Sequence, residues 1–331
     1  LKKKGKVAVS VKGKKKGTAK VQATVGKKKL TCKVTVKNVK TSKTTPAPPV
    51  TTTPSGTSTP SATPPSETST PSATPLANAT NAPENDAEAL KNLIAEQKKH
   101  DASSKLSEDI QNSKQYAWEN GRLVGIDWRG VGLKGELSTE KFSALHYLYC
   151  NNNQLTSLDV TKNTALTSLS CSGNQLSSLD VTKNTALTSL SCSSNQLSSL
   201  DVAKNTALII LYCERNQLSS LDVTKNTALT SLYCGGNQLS SLDVTKNTAL
   251  TYLSCYDNQL TSLNVTKNTA LTSLFCYNNQ LSSLDVTKNT KLTSLRCYGN
   301  QLSRLDVTKN TKLLDDGIRC DANVTIIRNN N

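Results

Sequence analysis

The sequence predicts a solenoid: a curved stack of single-strand coils with a parallel β concave face and little helix, closed at its N-terminal end by an α/β cap. Three observations predict it. A 21-residue unit recurs eight times without insertion over residues 145–312. Within each unit, apolar residues fall at the same places, with pairs two apart that share one face of a short strand. The segment before the array, residues 84–144, is non-repetitive and carries the chain's two tryptophans, as expected of a cap over the first apolar layer. Upstream, the pattern predicts partial β-sandwich strands and a disordered linker.

Composition narrows the function before any motif is read. The chain has 331 residues with 35% hydrophobic and 4% aromatic, low for a compact enzyme. No run approaches the roughly eighteen apolar residues that a spanning helix needs, so no membrane insertion is expected. The net charge of +16 is local: residues 1–44 hold sixteen lysines and no acid, and the remaining 24 basic residues balance the 24 acidic ones. A neutral body argues against nucleic acid as a partner. The chain opens on Leu1 and contains no Met, so it is expected to be a fragment, with any secretion signal upstream.

In residues 1–40, Val7, Val9 and Val11, then Ala19 to Val25, then Leu30 to Val36 alternate apolar with polar. The second and third runs flank Gly26-Lys27-Lys28, a hairpin signal. The string GTAKVQATVGKKKLTCKVTVK resembles the last strands of a bacterial immunoglobulin-like domain, a module of surface proteins. The lysine face reads first as a solvated strand face, with contact to anionic wall polymer or nucleic acid the sharper alternative.

Residues 41–83 are Thr, Ser, Pro and Ala with all ten prolines of the chain. Such a stretch cannot bury a core and is expected to be an extended stalk, on the order of 130 Å at full polyproline extension. In the cap, Ala87, Leu90, Leu93 and Ile94 lie at helical spacing behind Asn85-Asp86. Tyr116 to Trp118 and Leu123 to Trp128 flank Asn120-Gly121, a second hairpin. Trp128 is expected in the core, with a binding role the alternative.

The repeat, LTSLSCSGNQLSSLDVTKNTA, starts at Leu145, Leu166, Leu187, Leu208, Leu229, Leu250, Leu271 and Leu292. A degenerate turn from Leu313, with Ile318 and Cys320, is expected to close the array in residues 313–331. The LxxLxCxxNxL core of each unit resembles the leucine-rich repeat, and the 21-residue length with LxxLDV in the second half is similar to bacterial internalin-type surface proteins. That resemblance implies a secreted or surface-displayed bacterial protein, adhesion to a protein partner, and a structural role for the asparagine after each strand.

Three ladders could be mistaken for sites. The cysteines at 150, 171, 192, 213, 234, 255, 276 and 297 point one way, which suits neither tetrahedral zinc nor disulfides and reads as buried free thiols. The aspartates from Asp159 to Asp306 have the fixed spacing of calcium-binding repeats, but position 264 is Asn, so the position needs an acceptor more than a charge. No metal and no cofactor are expected. No catalytic motif is present, no enzyme is expected, and His146 reads as an exposed cap residue.

The variable positions point to the function. Eight of the nine tyrosines lie at three outward strand positions. The candidate ligand-binding residues are Tyr147, Tyr149, Tyr212, Tyr233, Tyr252, Tyr256, Phe275, Tyr277, Arg296 and Tyr298, concentrated toward the C-terminal units. Aromatics on a rigid concave face suit protein recognition. A glycan or mucin ligand is the first alternative, through tyrosines stacked on sugar faces. A structural spacer, with the tyrosines merely covering the sheet, is the second.

Overall fold

The computed structural model describes residues 17–25, 28–36 and 84–329. It contains two separate compact units. In the first, β1 (Gly17–Val25) pairs antiparallel with β2 (Lys28–Val36), Val25 opposite Lys28, the hairpin read from the alternation. The Val7–Val11 run and the stalk lie outside the described residues. Among the described residues no helix is long and apolar enough to cross a membrane.

The second unit is the solenoid. Its chain order begins with α1 (Glu84–His100), β3 (Tyr116–Glu119), β4 (Arg122–Asp127), β5 (Lys134–Ser138), β6 (Tyr147–Tyr149) and β7 (Gln154–Asp159). One strand per coil follows: β8 (Ser168–Ser170), β9 (Ser189–Ser191), β10 (Ile210–Tyr212), β11 (Ser231–Tyr233), β12 (Tyr252–Ser254), β13 (Ser273–Phe275) and β14 (Ser294–Arg296). β15 (Arg304–Asp306), β16 (Ile318–Arg319) and β17 (Thr325–Ile327) end it. The strands from β4 to β16 that line the concave face are parallel and in register, each residue beside its equivalent 21 positions on within the array.

The cap does more than cover the first coil. β4 continues the parallel sheet beside β6, and β3 pairs antiparallel on its outer edge. The hairpin therefore converts an open parallel edge into an antiparallel one, which a two-residue turn at Asn120-Gly121 can build. Leu90, Leu93 and Ile94 of α1 are buried, as their spacing predicts. Asp86 is also buried; its carboxylate accepts from Arg122 Nε (2.8 Å) and the Leu123 N–H (3.0 Å), tying the helix start to β4. Trp128 is fully buried in the core, edge-on to Tyr116 with ring centroids 6.2 Å apart, so it is a packing residue and not a ligand contact. At the other end, β16 pairs with β14 and β17 with β15, so the degenerate turn joins both walls.

Each coil buries six apolar side chains, for example Leu187, Leu190, Cys192, Leu197, Leu200 and Val202. Burial of each Leu is worth about 1.5–3 kcal/mol. The eight ladder cysteines are free and fully buried.

Two asparagine ladders hold the coils in register. In the first, Asn174 Nδ2 donates to the carbonyls of Cys150 (3.0 Å) and Cys171 (2.9 Å), while Oδ1 accepts the Leu155 N–H (2.9 Å). One amide thus satisfies backbone groups of two coils, where an unpaired buried group would cost about 1–3 kcal/mol. The pattern repeats through Asn300. The turn it braces needs a left-handed residue two places after each cysteine. Gly173, Gly236 and Gly299 serve in three coils, but Ser194 and Arg215 hold φ of 53° and 51° in others.

The second ladder is only half satisfied. Asn226 Nδ2 donates to the carbonyls of Val202 and Asn205, both at 2.9 Å. Among the described residues, none donates to the Oδ1 atoms of the second-ladder asparagines from Asn184 to Asn310. Asn163, in the first coil, differs: Thr139 Oγ1 donates to its Oδ1 at 2.7 Å. Thr139 occupies the cap's version of the position that is Val160, Val181 and Val202 in the coils that follow, and valine has the shape without the hydroxyl.

The Thr139 pairing can be copied into a later coil. Burying a hydroxyl in place of a methyl ordinarily costs about 1–3 kcal/mol when it finds no partner. Val202→Thr should instead be neutral or stabilising in urea unfolding, because the new hydroxyl meets Asn226 Oδ1 in the Thr139 geometry. A loss of the ordinary size would show that the hydroxyl does not reach it.

Candidate functional site

The concave face is built from side chains that alternate with the buried Leu and Cys of each strand. In-register stacking turns each outward position into a column, with neighbours about 4.8 Å apart. Aromatic rings in adjacent coils are therefore forced into contact. Tyr212 stacks on its register partner Tyr233 (centroids 4.4 Å), and Tyr252, from the outward position two residues earlier in the next strand, bridges diagonally onto Tyr233 (4.5 Å) across the small Ser254. Tyr252 meets Phe275 edge-on at 5.3 Å, and the Arg296 guanidinium lies 4.7 Å over the Phe275 ring. Tyr256, Tyr277 and Tyr298 form a second column, with steps of 4.8 and 4.7 Å and rings nearly parallel.

Of the ten candidate residues, eight thus belong to these two C-terminal columns. The other two, Tyr147 and Tyr149, pair with each other at the N-terminal end (5.3 Å), with Arg129 over Tyr149. The coils of Ser170 and Ser191 separate the groups with small, buried side chains. None of the ten falls among the fully exposed residues. Nine are half-buried and Tyr233 is buried, because each ring covers its neighbour's face. What the columns present outward is ring edges and phenol hydroxyls. Burial, reinforced by neighbouring phenols, raises the Tyr277 hydroxyl to about 12 and lifts those of Tyr233 and Tyr252 further.

Three residues outside the candidate set complete the face. Glu214 follows Cys213 in the fourth coil and is buried beneath the tyrosines. Tyr256 and Ser254, two coils on, hydrogen-bond to its carboxylate, and Arg215 lies beside it. The intervening position is Gly235, where a Cβ would sit 2.4 Å from the Tyr256 ring. Glycine is required there because Tyr256 lies flat across it to reach Glu214. The signal was present in the repeat: a lone acid, then a glycine, then a tyrosine at one column position. Arg319 is the third; aligning Ile318 and Cys320 with Leu295 and Cys297 places it beside Arg296.

The other ladders take no part in this face. Asp180 Oδ1 accepts the Thr182 N–H (2.8 Å) and hydroxyl (2.7 Å), and those bonds hold its carboxyl below the usual carboxylate range. Asn264 makes the same two bonds to Thr266. The position therefore works through an oxygen acceptor, whether charged or neutral. His146 is exposed at the edge of the first strand. Burial pushes the Cys150, Cys192 and Cys297 thiols up to about 12 and the rest of the ladder also well above normal.

Residues 143–184 match the family of leucine-rich repeats, as two copies. Comparison with curated proteins finds no match. Among solved structures, the functional domain of InlJ from Listeria monocytogenes, described as including a cysteine ladder, is 33% identical, with a TM-score of 0.43 over 61% of this chain and 54% of that one. An internalin, InlF, from Listeria monocytogenes is 24% identical, with a TM-score of 0.50 over 61% and 67%. A plant ice-binding protein is 18% identical, with a TM-score of 0.58 over 75% and 88%. The chain spans about half the length of the InlJ structure. The likeness to InlF and to the plant protein is one of fold.

Two measurements check the geometry. Thiol titration of the native chain should modify the partly exposed Cys320 while the eight ladder cysteines stay unreacted until unfolding; early reaction of a ladder thiol would contradict its burial. Burial raises the Glu214 carboxyl above its ordinary 4.5. The folded state then holds that proton more tightly, so this group's contribution falls as pH rises from below 4.5 through the raised value. Glu214→Gln should match the wild type in stability at low pH and exceed it near neutrality. Parallel pH profiles for the two proteins would exclude a raised carboxyl.

Proposed function

We propose that this solenoid is a non-catalytic binding module that takes a protein ligand on the concave face of its C-terminal coils. The observation that carries this reading is the pair of aromatic columns from Tyr212 to Arg296 and from Tyr256 to Tyr298. Together they offer a preordered, low-entropy surface of apolar edges with hydroxyl donors, the composition that recurs at protein–protein contacts. The rigid coils beneath remove the ordering cost that a flexible loop would bear on binding.

The ring geometry favours a protein over a glycan. A sugar recognised by aromatics needs an open ring face. The faces between stacked rings are closed by neighbours under 5 Å away, apart from the edge-on Tyr252–Phe275 step at 5.3 Å, so an outer face is left only at the ends of the stacks. Edges and hydroxyls suit polypeptide side chains and carbonyls. The wider setting belongs to the same proposal: a bacterial, secreted or surface-displayed, adhesin-like protein. In it, an immunoglobulin-like module over residues 1–40 and a stalk over 41–83 present the array on the outside of the cell.

The test compares the full chain with a variant carrying Tyr256→Ser, Phe275→Ser, Tyr277→Ser and Tyr298→Ser, with circular dichroism confirming the fold. Both are screened against host glycoproteins, mucin, bacterial wall material and free glycans. The expected result is binding to a protein component that weakens about a hundredfold in the variant, as loss of a few aromatic anchors of about 1 kcal/mol each would produce. Equal binding by both proteins would move the site off this face. Binding to free glycans alone would replace the protein reading, and no binding by either would leave the spacer.

A further inference from the structure

The charges on the concave face are not evenly answered. Near its N-terminal end, Arg129 pairs with Asp127, with Nη2 to Oδ2 at 2.6 Å. In the middle, Arg215 lies between Glu214 and Tyr256. Asp257 accepts from Asn278 Nδ2 at 2.7 Å. At the C-terminal end the pattern breaks. Arg296 of β14 and Arg319 of β16 are direct register partners on adjacent parallel strands. Among the described residues neither has a carboxylate within ion-pair distance. The acid two places on, Asp321, is engaged elsewhere: its oxygens accept the backbone N–H groups of Gly299 (2.9 Å) and Asn300 (3.3 Å). Arg319 is exposed, and Arg296 is half-buried with its guanidinium pinned over Phe275.

Two arginines at paired positions on adjacent strands, neither with a carboxylate within ion-pair distance, make a cationic patch at this end of the face, and each guanidinium presents a planar fork matched to a carboxylate. Resting on the binding role argued above, we propose that this pair is the charge anchor of the ligand site, and that the ligand is an acidic segment of a partner protein whose carboxylates seat on Arg296 and Arg319 while its neighbouring apolar or aromatic side chains pack on the edges of Tyr277 and Tyr298. Charge complementarity assigns the acid. In the Tyr256–Tyr298 column Tyr277 is covered on both faces by its neighbours, which leaves mainly edges for side chains and favours a polypeptide.

The test must cancel the sixteen N-terminal lysines, which would attract any polyanion. A phage-displayed library of random peptides is depleted on the full chain carrying Arg296→Gln and Arg319→Gln, then selected on the wild-type chain. Both carry the same lysines, so what survives reports the arginine pair. The expected peptides are rich in Asp and Glu beside aromatic or apolar residues. Their affinity should fall about tenfold in the double variant and stay nearly unchanged in a Lys309→Gln, Lys312→Gln control, which removes equal charge from exposed positions off the strand face. Survivors without acidic excess would overturn the proposal. So would polygalacturonate binding that depends on the arginines when no acidic peptide survives, which would make the ligand an acidic glycan. A second selection of the same library on the wild-type chain omits the depletion step. Peptides from it that lose binding in the four-residue aromatic variant yet keep it in the arginine variant, with no acidic peptide surviving the first selection, would leave the binding face standing and remove the acidic anchor. Peptides from it indifferent to both variants, again with none surviving the first, would remove both.

Discussion

One amide per coil sets the terms for everything else in this molecule. The asparagine after each strand donates to carbonyls of its own coil and of the preceding one, and accepts an N–H from that preceding coil. Backbone in a turn this tight has no sheet partner of its own, and buried polar groups left unpaired are costly. Asparagine at this place answers three such groups at once, provided that the coils are spaced and aligned identically. The same constraint explains why the unit tolerates no insertion over eight copies. An extra residue would move one coil's amide away from the carbonyl it must reach.

Register then converts sequence positions into columns. Identical residues at buried positions become a stack of leucines, valines and thiols. Residues at outward positions meet their counterparts one strand spacing away, close to the thickness of an aromatic ring. Stacked aromatic pairs contribute about 0.5–1.5 kcal/mol beyond their burial, so the tyrosines of the last coils stabilise the sheet that displays them. The spacer and binding readings are therefore not opposed at the level of a single ring. A ring covers its neighbour with its face and offers its edge to a partner. The columns also need interruptions. Gly125 lies under Tyr147 and Gly235 under Tyr256, each at the register partner of the ring that lies across it.

Both ends of the array show how an open stack is finished. At the start, β4 extends the parallel sheet and β3 closes it in antiparallel fashion, with Asp86 fastening the helix to the hairpin. The cap also supplies Thr139, whose hydroxyl answers Asn163, the first asparagine of the second ladder. At the far end, Asp321 takes over the N–H groups of Gly299 and Asn300 that a further coil would have engaged. In doing so it leaves Arg319 and Arg296 without a local counter-charge.

The repeat period, the buried Leu and Cys positions, the acceptor role at Asn264, the cap helix and both hairpins were legible in the sequence, because each rests on local spacing that a strand, helix or turn must obey. So was the crowding of tyrosines on one face. What only the tertiary structure decided is how those side chains meet across coils. The rings proved half-buried rather than free, Glu214 proved buried and bonded across Gly235, and Arg319 proved to stand beside Arg296. A linear pattern assigns a residue to a face. Which neighbour's ring, carboxylate or empty Cβ position it meets there depends on the lateral spacing of the coils, and that spacing exists only once the amide ladder has closed.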